Sequence, residues 1–338
     1  MITPLEEHCE WTRSSLGDSY VHHLGDAERA ELHEALQIAK SHTDDVLSIT
    51  ADEFPLPHLS TRLAAIADDL VNGCGVALIR GIERDRYSTE DAATIYWGIG
   101  AHLGRPWPQN AKGHLLGDVT DQGKHPDDRT SRGNELGGVG LPFHCDGSDL
   151  VGLFCLDAGA DGGDSLVANI VAVHNDLARE EPELLAELYA PLPYDYRGEQ
   201  AAGSKGWYTV PAFMRWDDRL FCRYIRPYIR AAKRHADAPR PSEQAVAAMD
   251  RVDAMVNDPE RHVSMRLEPG DIQFINNYHV LHGRAPYTDD RANGKVRHLK
   301  RLWLETDVLT DEQKPDRYRM SASLPSWWKA SGREARAR

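Results

Sequence analysis

The chain has 338 residues and a formal net charge of −14, from 39 lysine and arginine residues against 53 aspartate and glutamate residues. It is 41% hydrophobic and 27% charged, the composition of a globular protein with enough apolar material for a sizeable core. The acidic balance argues against nucleic-acid binding, because neutralising phosphates takes clustered lysine and arginine. The length fits either two domains or one β-barrel domain with helical additions.

No run approaches roughly 18 consecutive apolar residues, and the first residues, Met1 to His8, carry neither a basic nor an apolar segment. We therefore expect no transmembrane helix, no signal peptide, no membrane partner and a cytoplasmic location. The cysteines are scattered and never spaced as CxxC, so we expect reduced thiols rather than disulfides or a zinc ribbon. They are Cys9, Cys74, Cys145, Cys155 and Cys222.

The first 70 residues are predicted to be mainly helical, because apolar side chains recur at helical spacing over 27–40 and 59–72. Gly73 and Gly75 end the second helix, and the apolar run 76–79 predicts a buried strand. Another helix is predicted over 89–101. Residues 105–142 are rich in Gly, Pro, Asp, Asn and Gln, which is typical of a lid over a functional site.

Strand-like runs recur beyond residue 141, separated by turns such as Pro269-Gly270-Asp271. Two helical segments, near 171–189 and 242–256, interrupt them. This pattern predicts a mainly β fold with helical additions, either a sandwich or a jelly-roll barrel. GxGxxG, P-loop and GxSxG patterns are missing from the sequence, which argues against the folds they mark. The predicted strands are 151–156, 165–169, 207–213, 220–224, 263–267, 272–275 and 298–305.

The segment Leu141-Pro142-Phe143-His144-Cys145-Asp146-Gly147 carries the first chemical signal. In a strand, residues two apart point to the same face, so His144 and Asp146 would lie side by side and Cys145 would face away. An imidazole and a carboxylate supply two ligands of a facial iron triad. The pair alone is weak evidence, because the chain has 16 histidines and HxD pairs arise by chance.

Two later segments could complete a site. Between 267 and 284 a turn and a strand lead to His279 and His282, either of which could supply a third ligand. In the strand 296–304, Arg297 and Arg301 share one face. A buried arginine on an apolar strand needs an anionic partner, either a dicarboxylate ligand or a structural salt bridge.

Taken in order, five segments between about Gly75 and Glu305 resemble the iron(II)/2-oxoglutarate-dependent dioxygenases of the taurine dioxygenase and clavaminate synthase-like family. They are the HxD segment, Gly162-Gly163-Asp164-Ser165, the Pro269-Gly270-Asp271 turn, the N-x-x-x-L-H-G-R segment ending at Arg284, and R-H-L-x-R-L-W-L from Arg297. The resemblance implies a double-stranded β-helix, a jelly-roll or cupin-like core flanked by helices.

By position, the resemblance implies that His144, Asp146 and His282 bind iron(II). His282 precedes Gly-Arg as in the family, which leaves His279 beside the ligands or at the surface. Arg297, with Ser165 where the family usually has threonine, would hold the distal carboxylate of 2-oxoglutarate. Arg301 matches the second arginine of that strand and is assigned to cosubstrate binding with them.

The implied reaction uses O2 and decarboxylates 2-oxoglutarate to succinate and CO2 while oxidising, most often hydroxylating, a C–H bond. Halogenating relatives replace the carboxylate ligand with a small residue, so Asp146 argues against halogenation. We expect a small polar or amino-acid-like substrate. The lid residues Gln109, Asn110 and His114 are candidates for contacting it.

Several charged residues have no role that the sequence determines. Arg197-Gly198-Glu199 could line the substrate pocket or form a surface turn, and the basic run 223–234 is expected to be a solvated face. Asp149 and Asn169 lie in family-like segments without an assigned role.

The predicted organisation is one catalytic domain over 1–338. It has a helical part (1–74), a jelly-roll core (75–310) with its lid at about 105–142, and a polar tail (311–338) anchored by Trp327-Trp328. The oligomeric state is not predicted. Two other functions stay open: a zinc or manganese hydrolase or isomerase, and a metal-binding protein without catalysis. A hydrolase has no need of the Arg297/Arg301 strand, and a binding protein would be expected to have lost a ligand or that anchor.

Overall fold

The computed structural model describes residues 2–6, 10–110, 112–125, 131–200 and 203–318. Trp327-Trp328, the predicted anchor of the tail, and Cys9 lie outside these ranges. Within the described ranges no helix is both long and apolar enough to span a bilayer.

The described helices are α1 (Arg13–Leu16), α2 (Asp26–His42), α3 (Leu59–Asn72), α4 (Thr89–Ala101), α5 (Ile170–Glu180), α6 (Pro182–Leu188), α7 (Arg226–Ala232) and α8 (Glu243–Asn257). The described strands are β1 (Val21–His23), β2 (Val76–Arg80), β3 (Arg105–Pro106), β4 (Leu116–Thr120), β5 (Leu141–His144), β6 (Leu150–Asp157), β7 (Asp161–Gly162), β8 (Ser165–Asn169), β9 (Pro191–Asp195), β10 (Trp207–Pro211), β11 (Phe213–Trp216), β12 (Arg219–Cys222), β13 (His262–Met265), β14 (Ile272–Asn276), β15 (Val280–Arg284), β16 (Tyr287–Thr288) and β17 (His298–Glu305).

Two sheets form the centre of the fold. The larger, seven-stranded sheet has the order β1-β2-β14-β6-β17-β3, with β4 also paired to β17. The smaller, four-stranded sheet has the order β13-β8-β15-β5. Helices cover both, so the architecture confirms the predicted mainly β fold with helical additions.

The hydrophobic core has three layers, which explains why the central strands are apolar on both faces. Along β6, Leu150 and Phe154 pack against the helices α2, α3 and α4, whereas Val151 and Cys155 point into the space between the two sheets. This alternation follows from the two-residue period of a strand. The third layer packs α5, α6 and α8 on the outer face of the smaller sheet.

The structure corrects several predicted elements. The strand predicted over 207–213 is two strands, β10 and β11, separated at Ala212, and the helix predicted over 171–189 divides at Pro182, the first residue of α6. The sequence analysis missed β1, β3, β4, β7, β9, β15 and β16, and of these β3 and β4 lie within the predicted lid. In β15 the pattern was obscured by Gly283 and two polar neighbours, although all five residues are buried.

A buried ion pair fastens the chain beyond β17 to the segment between β5 and β6. Lys314 Nζ lies 2.7 Å from Asp149 Oδ2, and both side chains are 1% exposed. The Tyr278 hydroxyl and the Thr306 backbone N–H also donate to this carboxylate, at 2.7 and 3.1 Å. Burial raises the pKa of Asp149 and the charge of Lys314 opposes it. Asp149, which had no role from sequence, is therefore a structural residue.

We expect Lys314→Met to lower the free energy of unfolding by about 3–5 kcal/mol, because it leaves the Asp149 charge buried without its partner. The matched control is Lys40→Met, which breaks an exposed pair with Asp91 and should cost about 0–1 kcal/mol. Urea unfolding at neutral pH measures both. Equal losses in the two variants would contradict the structural role of the buried pair.

Candidate metal centre and active-site cavity

Two histidines face each other across neighbouring strands of the smaller sheet. β5 and β15 are antiparallel, and His144 is the direct register partner of His282. Their ring centroids are 4.2 Å apart. The strands approach closely at Gly283, where an added Cβ would lie 2.9 Å from the Leu141 carbonyl oxygen. The glycine after the histidine thus permits the pairing that sets the two imidazoles side by side.

Asp146 joins the histidines from a loop. The expectation that His144 and Asp146 share a strand face is wrong in detail, because β5 ends at His144. The Asp146 backbone N–H donates to Asn277 Oδ1 at 2.9 Å, and Asn277 Nδ2 donates to the Ser148 carbonyl at 2.9 Å. Asn277 therefore holds the loop that carries the carboxylate.

The three side chains converge. Asp146 Oδ1 lies 3.9 Å from His144 Nε2, and Oδ2 lies 3.8 Å from His282 Nε2. One ligand atom from each residue falls within 4.8 Å of the others. Cys145, between the two, is fully buried in the core, as predicted. His279 lies outside the group and is 5% exposed, so it is a buried neighbour and not a surface residue.

The charges around Asp146 favour its ionised form. Burial raises its pKa, but Arg301, His282, His144 and the Trp303 hydrogen bond outweigh burial and lower the pKa to about 2. Burial and the neighbouring His144 lower the pKa of His282 to about 3. At neutral pH the group therefore presents a carboxylate and a neutral imidazole, the forms that bind a metal ion.

This donor set fits a divalent iron ion. Two imidazole nitrogens and one carboxylate on one side of a cavity leave coordination positions open on the other. His144 Nδ1 is 2.9 Å from the Pro142 carbonyl, which directs Nε2 toward the group. His282 Nδ1 is buried and has no hydrogen-bond partner in the described structure.

Arg301 and Trp303, both on β17, bind the Asp146 carboxylate. Trp303 Nε1 donates to Oδ2 at 3.0 Å, and Arg301 Nη1 lies 3.3 Å from the same oxygen. Gln109, predicted as a lid residue, is buried and accepts from Arg301 Nε at 2.8 Å. Asn110 lines the cavity, and its amide nitrogen is 3.2 Å from His114 Nδ1. The structure thus places Arg301 beside the metal-binding group.

Arg297 lies in a second part of the cavity, where its buried guanidinium could bind an anion. It is 4% exposed, donates from Nη2 to the Gly163 carbonyl at 3.1 Å, and has no ion-pair partner among the described residues. Its Nη1 is buried without a hydrogen-bond partner. Gly163 has φ +77°, and an added Cβ there would lie 2.6 Å from Arg297 Nε. The Gly-Gly segment therefore leaves room for this guanidinium.

Arg284 adds a second buried cation, which the sequence analysis did not single out. Arg284 and Arg297 stack on the same ring, with guanidinium carbons 4.8 and 5.3 Å from the Tyr287 centroid. Burial and the charge of Arg297 lower the pKa of Arg284 to about 10. Ser165 is the register partner of Arg284 on β8 and lines the same cavity.

The cavity lies between the two sheets and has a volume of about 670 Å³. Arg197 and Glu199 line it, so their segment borders the pocket, and the same segment is also a turn that carries an ion pair between Glu199 and Arg132. Arg223 lines it as well, as do Ile225, Pro227, Tyr228 and Arg230, so the expectation that 223–234 is a solvated face is wrong for the first part of the run. Asn169 has a structural role: its side chain accepts from the Ala172 N–H and caps α5.

Residues 23–303 match the family described as Taurine catabolism dioxygenase TauD, TfdA family. The chain belongs to this family. The match confirms the resemblance inferred from the five sequence segments and the prediction of an oxidoreductase. FR-33289 synthase of Streptomyces rubellomurinus is 30% identical over 310 residues, which cover 90% of this chain and 91% of the relative.

Solved structures share the fold. Asparagine oxygenase in complex with Fe(II), 2S,3S-3-hydroxyasparagine and succinate superposes with a TM-score of 0.67 at 19% identity, covering 85% of this chain and 94% of the other. The non-heme iron oxygenase OrfP in complex with Fe and alpha-ketoglutaric acid gives a TM-score of 0.65 at 20% identity, with the same coverage. These likenesses support the predicted barrel core flanked by helices.

We expect the purified protein to bind one Co²⁺ per chain and His282→Ala to lose it, because the variant keeps two of the three donors. His279→Ala, which removes a buried histidine three residues earlier, is the matched control and should retain the metal. Metal analysis after gel filtration gives the stoichiometry. Loss of Co²⁺ in the control with retention in His282→Ala would contradict the assignment.

Proposed function

We propose that this chain is an iron(II)/2-oxoglutarate-dependent dioxygenase that hydroxylates a C–H bond of a small polar or amino-acid-like metabolite. One observation carries the proposal: the His144, Asp146 and His282 group shares a cavity with Arg297, a buried cation without an ion-pair partner in the described residues. A metal ligand set and an anion site together match a reaction that needs both iron(II) and a dicarboxylate.

Different residues would bind iron(II) and 2-oxoglutarate. His144, Asp146 and His282 would hold iron(II). Arg297, with the Ser165 hydroxyl, would hold the distal carboxylate of 2-oxoglutarate, since a guanidinium can bind a carboxylate through two parallel hydrogen bonds. When bound, iron(II) and 2-oxoglutarate with O2 supply the oxidising power, yielding succinate and CO2.

The surrounding side chains keep the ligands in place. Trp303 and Arg301 bind Asp146 Oδ2, and Gln109 Nε2 donates to the Arg301 carbonyl at 2.8 Å, which joins the lid to β17. Partners of this kind orient metal ligands and tune their basicity. The apolar walls contributed by Val119, Val151 and Leu153 exclude water from part of the cavity.

The amino-acid-like substrate class has support from two similar folds, whose structures contain hydroxyasparagine and hydroxy-L-Arg. The retained Asp146 carboxylate favours hydroxylation over halogenation. A single catalytic domain over 1–338 and a cytoplasmic location are further parts of the proposal. The buried thiols of Cys145, Cys155 and Cys222, which form no disulfide, support that location.

The first test is an anaerobic titration of the metal-free protein with iron(II) and 2-oxoglutarate, following the weak visible band of the chelate. We expect a band that needs both additions and is lost in His282→Ala. Arg297→Ala should weaken 2-oxoglutarate binding roughly 10-fold or more, since a buried charged hydrogen bond is lost. A bound metal without any band would contradict the proposal and favour a hydrolase or a binding protein.

Asp146→Ala should abolish 2-oxoglutarate turnover, because the carboxylate ligand is lost. Succinate release in air, with and without candidate substrates, measures this. The control is Asp164→Ala, a partly exposed carboxylate near an exposed arginine, Arg266, at 3.9 Å. Full activity in Asp146→Ala would remove this residue from the ligand set.

Gly163→Ala should raise the Kd for 2-oxoglutarate roughly 10-fold, because the new Cβ displaces the Arg297 guanidinium. Gly294→Ala is the matched control: its φ is also positive, at +72°, but nothing lies within 4 Å of the added Cβ. Isothermal titration in the presence of iron(II) measures both. A similar Kd in the two variants would show that the glycine serves the turn alone.

A further inference from the structure

The cavity carries charge opposite to that of the whole protein. The net charge is −14, yet the described cavity lining has seven arginines against three acidic residues. A cavity lined by one sign of charge concentrates ligands of the other sign. The arginines are Arg132, Arg197, Arg223, Arg230, Arg284, Arg297 and Arg301.

Three of these arginines line the cavity together with one phenol, and we call these four residues the Tyr228 cluster: Arg132, Arg197, Arg223 and Tyr228. The Arg197 guanidinium carbon lies 5.7 Å from the centre of the Tyr228 ring. Burial and the charge of Asp146 raise the pKa of Tyr228, and the charges of Arg132, Arg223 and Arg197 oppose them. All four residues line the cavity, and neither the metal ligands nor the 2-oxoglutarate site accounts for the three cations.

The cluster has more positive charge than its acids neutralise. Arg132 is paired with Glu199. Arg197 and Arg223 have no carboxylate partner in the described residues; Arg197 Nη2 donates to the Ser131 carbonyl at 2.7 Å, and Arg223 Nη2 to the Tyr208 hydroxyl at 3.1 Å.

The other two carboxylates of the described cavity lining are already engaged. Asp146 belongs to the proposed ligand set and lies 3.3 Å from Arg301 Nη1, and Asp195 has two partners of its own. It is fully buried and is paired with Arg234 at 2.6 Å and with His235 at 2.9 Å. Two positive charges in the Tyr228 cluster are therefore left for a ligand.

Arg223 connects the cluster to the metal-binding group. Its Nη1 donates to the Asp146 backbone carbonyl at 2.9 Å. A ligand group held by Arg223 therefore lies beside the loop that carries the metal ligand.

Arg197 is presented by a turn that is unusual for its residue type. Its φ is +57° and that of Gly198 is +84°, and the Glu199 N–H donates to the Tyr196 carbonyl at 3.1 Å. Consecutive left-handed residues with this bond define a type I′ turn, in which glycine or asparagine is the unstrained choice. Arg197 occupies this position although glycine or asparagine would be less strained, and its guanidinium lies over the Tyr228 ring.

We propose that the substrate carries a dianionic phosphoryl group, as a phosphate monoester or a phosphonate, and that Arg197 and Arg223 bind it. The inference rests on the proposed function and specifies its substrate. The guanidinium fork matches phosphoryl oxygens, and a dianion neutralises the two charges left in the cluster. A substrate with a cationic side chain, such as the hydroxy-L-Arg bound by OrfP, would be repelled.

The test is anaerobic titration calorimetry on protein loaded with iron(II) and saturating 2-oxoglutarate, so that the Arg297 site is occupied. The probes are ethyl phosphate, ethyl sulfate and ethylammonium. With a second pKa of about 6, ethyl phosphate is a dianion at about pH 7.5, whereas ethyl sulfate has a similar shape and one charge. We expect ethyl phosphate to bind about 10-fold more tightly than ethyl sulfate, and ethylammonium not to bind. Equal binding of the two anions, or preference for the cation, would overturn the proposal.

Variants locate the site. Arg197→Gln and Arg223→Gln should each weaken ethyl phosphate about 10-fold or more. Arg240→Gln removes the same charge from an exposed arginine outside the cavity and should change binding less than about twofold. Arg197→Gln decides the matter should Arg223→Gln fail to fold, since the Arg197 guanidinium donates to the Ser131 carbonyl, whereas that of Arg223 donates to the Asp146 carbonyl. Unchanged binding in Arg197→Gln would overturn the assignment.

The experiments distinguish failure of the proposed dioxygenase function from failure of the phosphoryl-substrate proposal. Absence of the iron–2-oxoglutarate band contradicts the dioxygenase, whereas Arg197-dependent binding of ethyl phosphate is also measured in metal-free protein and does not depend on that band. Ethylphosphonate, included as a further probe, distinguishes the two sources of the phosphoryl group. Arg197-dependent binding of either probe that is tighter than the binding of ethyl sulfate supports the proposal, and binding of neither overturns it.

Discussion

The antiparallel pairing of β5 with β15 is the constraint on which the site depends, because it sets His144 directly opposite His282. Gly283 allows the two strands to approach, and Asn277 then holds the loop that brings the Asp146 carboxylate to the histidines. Farther out, the buried Asp149–Lys314 pair ties the chain after β17 to this loop. Small displacements of these strands and loops would separate the donor atoms. The close packing around them therefore maintains the geometry of the site.

Burying the arginines of this cavity costs electrostatic free energy. Arg284 and Arg297 are each at most 5% exposed, and neither has an ion-pair partner in the described residues. Desolvating a cation without a counter-ion destabilises a fold unless a ligand supplies the charge. The arginines buried around the candidate metal-binding group of this acidic protein support the two proposed anion sites, one for the cosubstrate at Arg297 and one for the substrate at the Tyr228 cluster.

The sequence predicted the metal-binding group because its residues sit in contiguous segments with distinctive neighbours, as in His282-Gly283-Arg284. It did not predict how Asp146 reaches His144. A two-residue spacing does not show that the strand ends at His144 and that Asp146 lies in a loop. Arg223 could not be predicted as a cavity residue, because its local run is rich in arginine and lysine. Its position depends on a tertiary contact, in which its backbone N–H donates to the Ala212 carbonyl at 2.8 Å. Asp149 and Lys314 are 165 residues apart, so their pairing is likewise a property of the fold.

The most direct test of the account is a crystal structure grown anaerobically with iron(II) and 2-oxoglutarate, using anomalous scattering to locate the metal. The account predicts one iron peak bound by His144, Asp146 and His282, with the distal carboxylate of 2-oxoglutarate on Arg297 and Ser165. Iron at another position, or 2-oxoglutarate with its distal carboxylate away from Arg297, would contradict it.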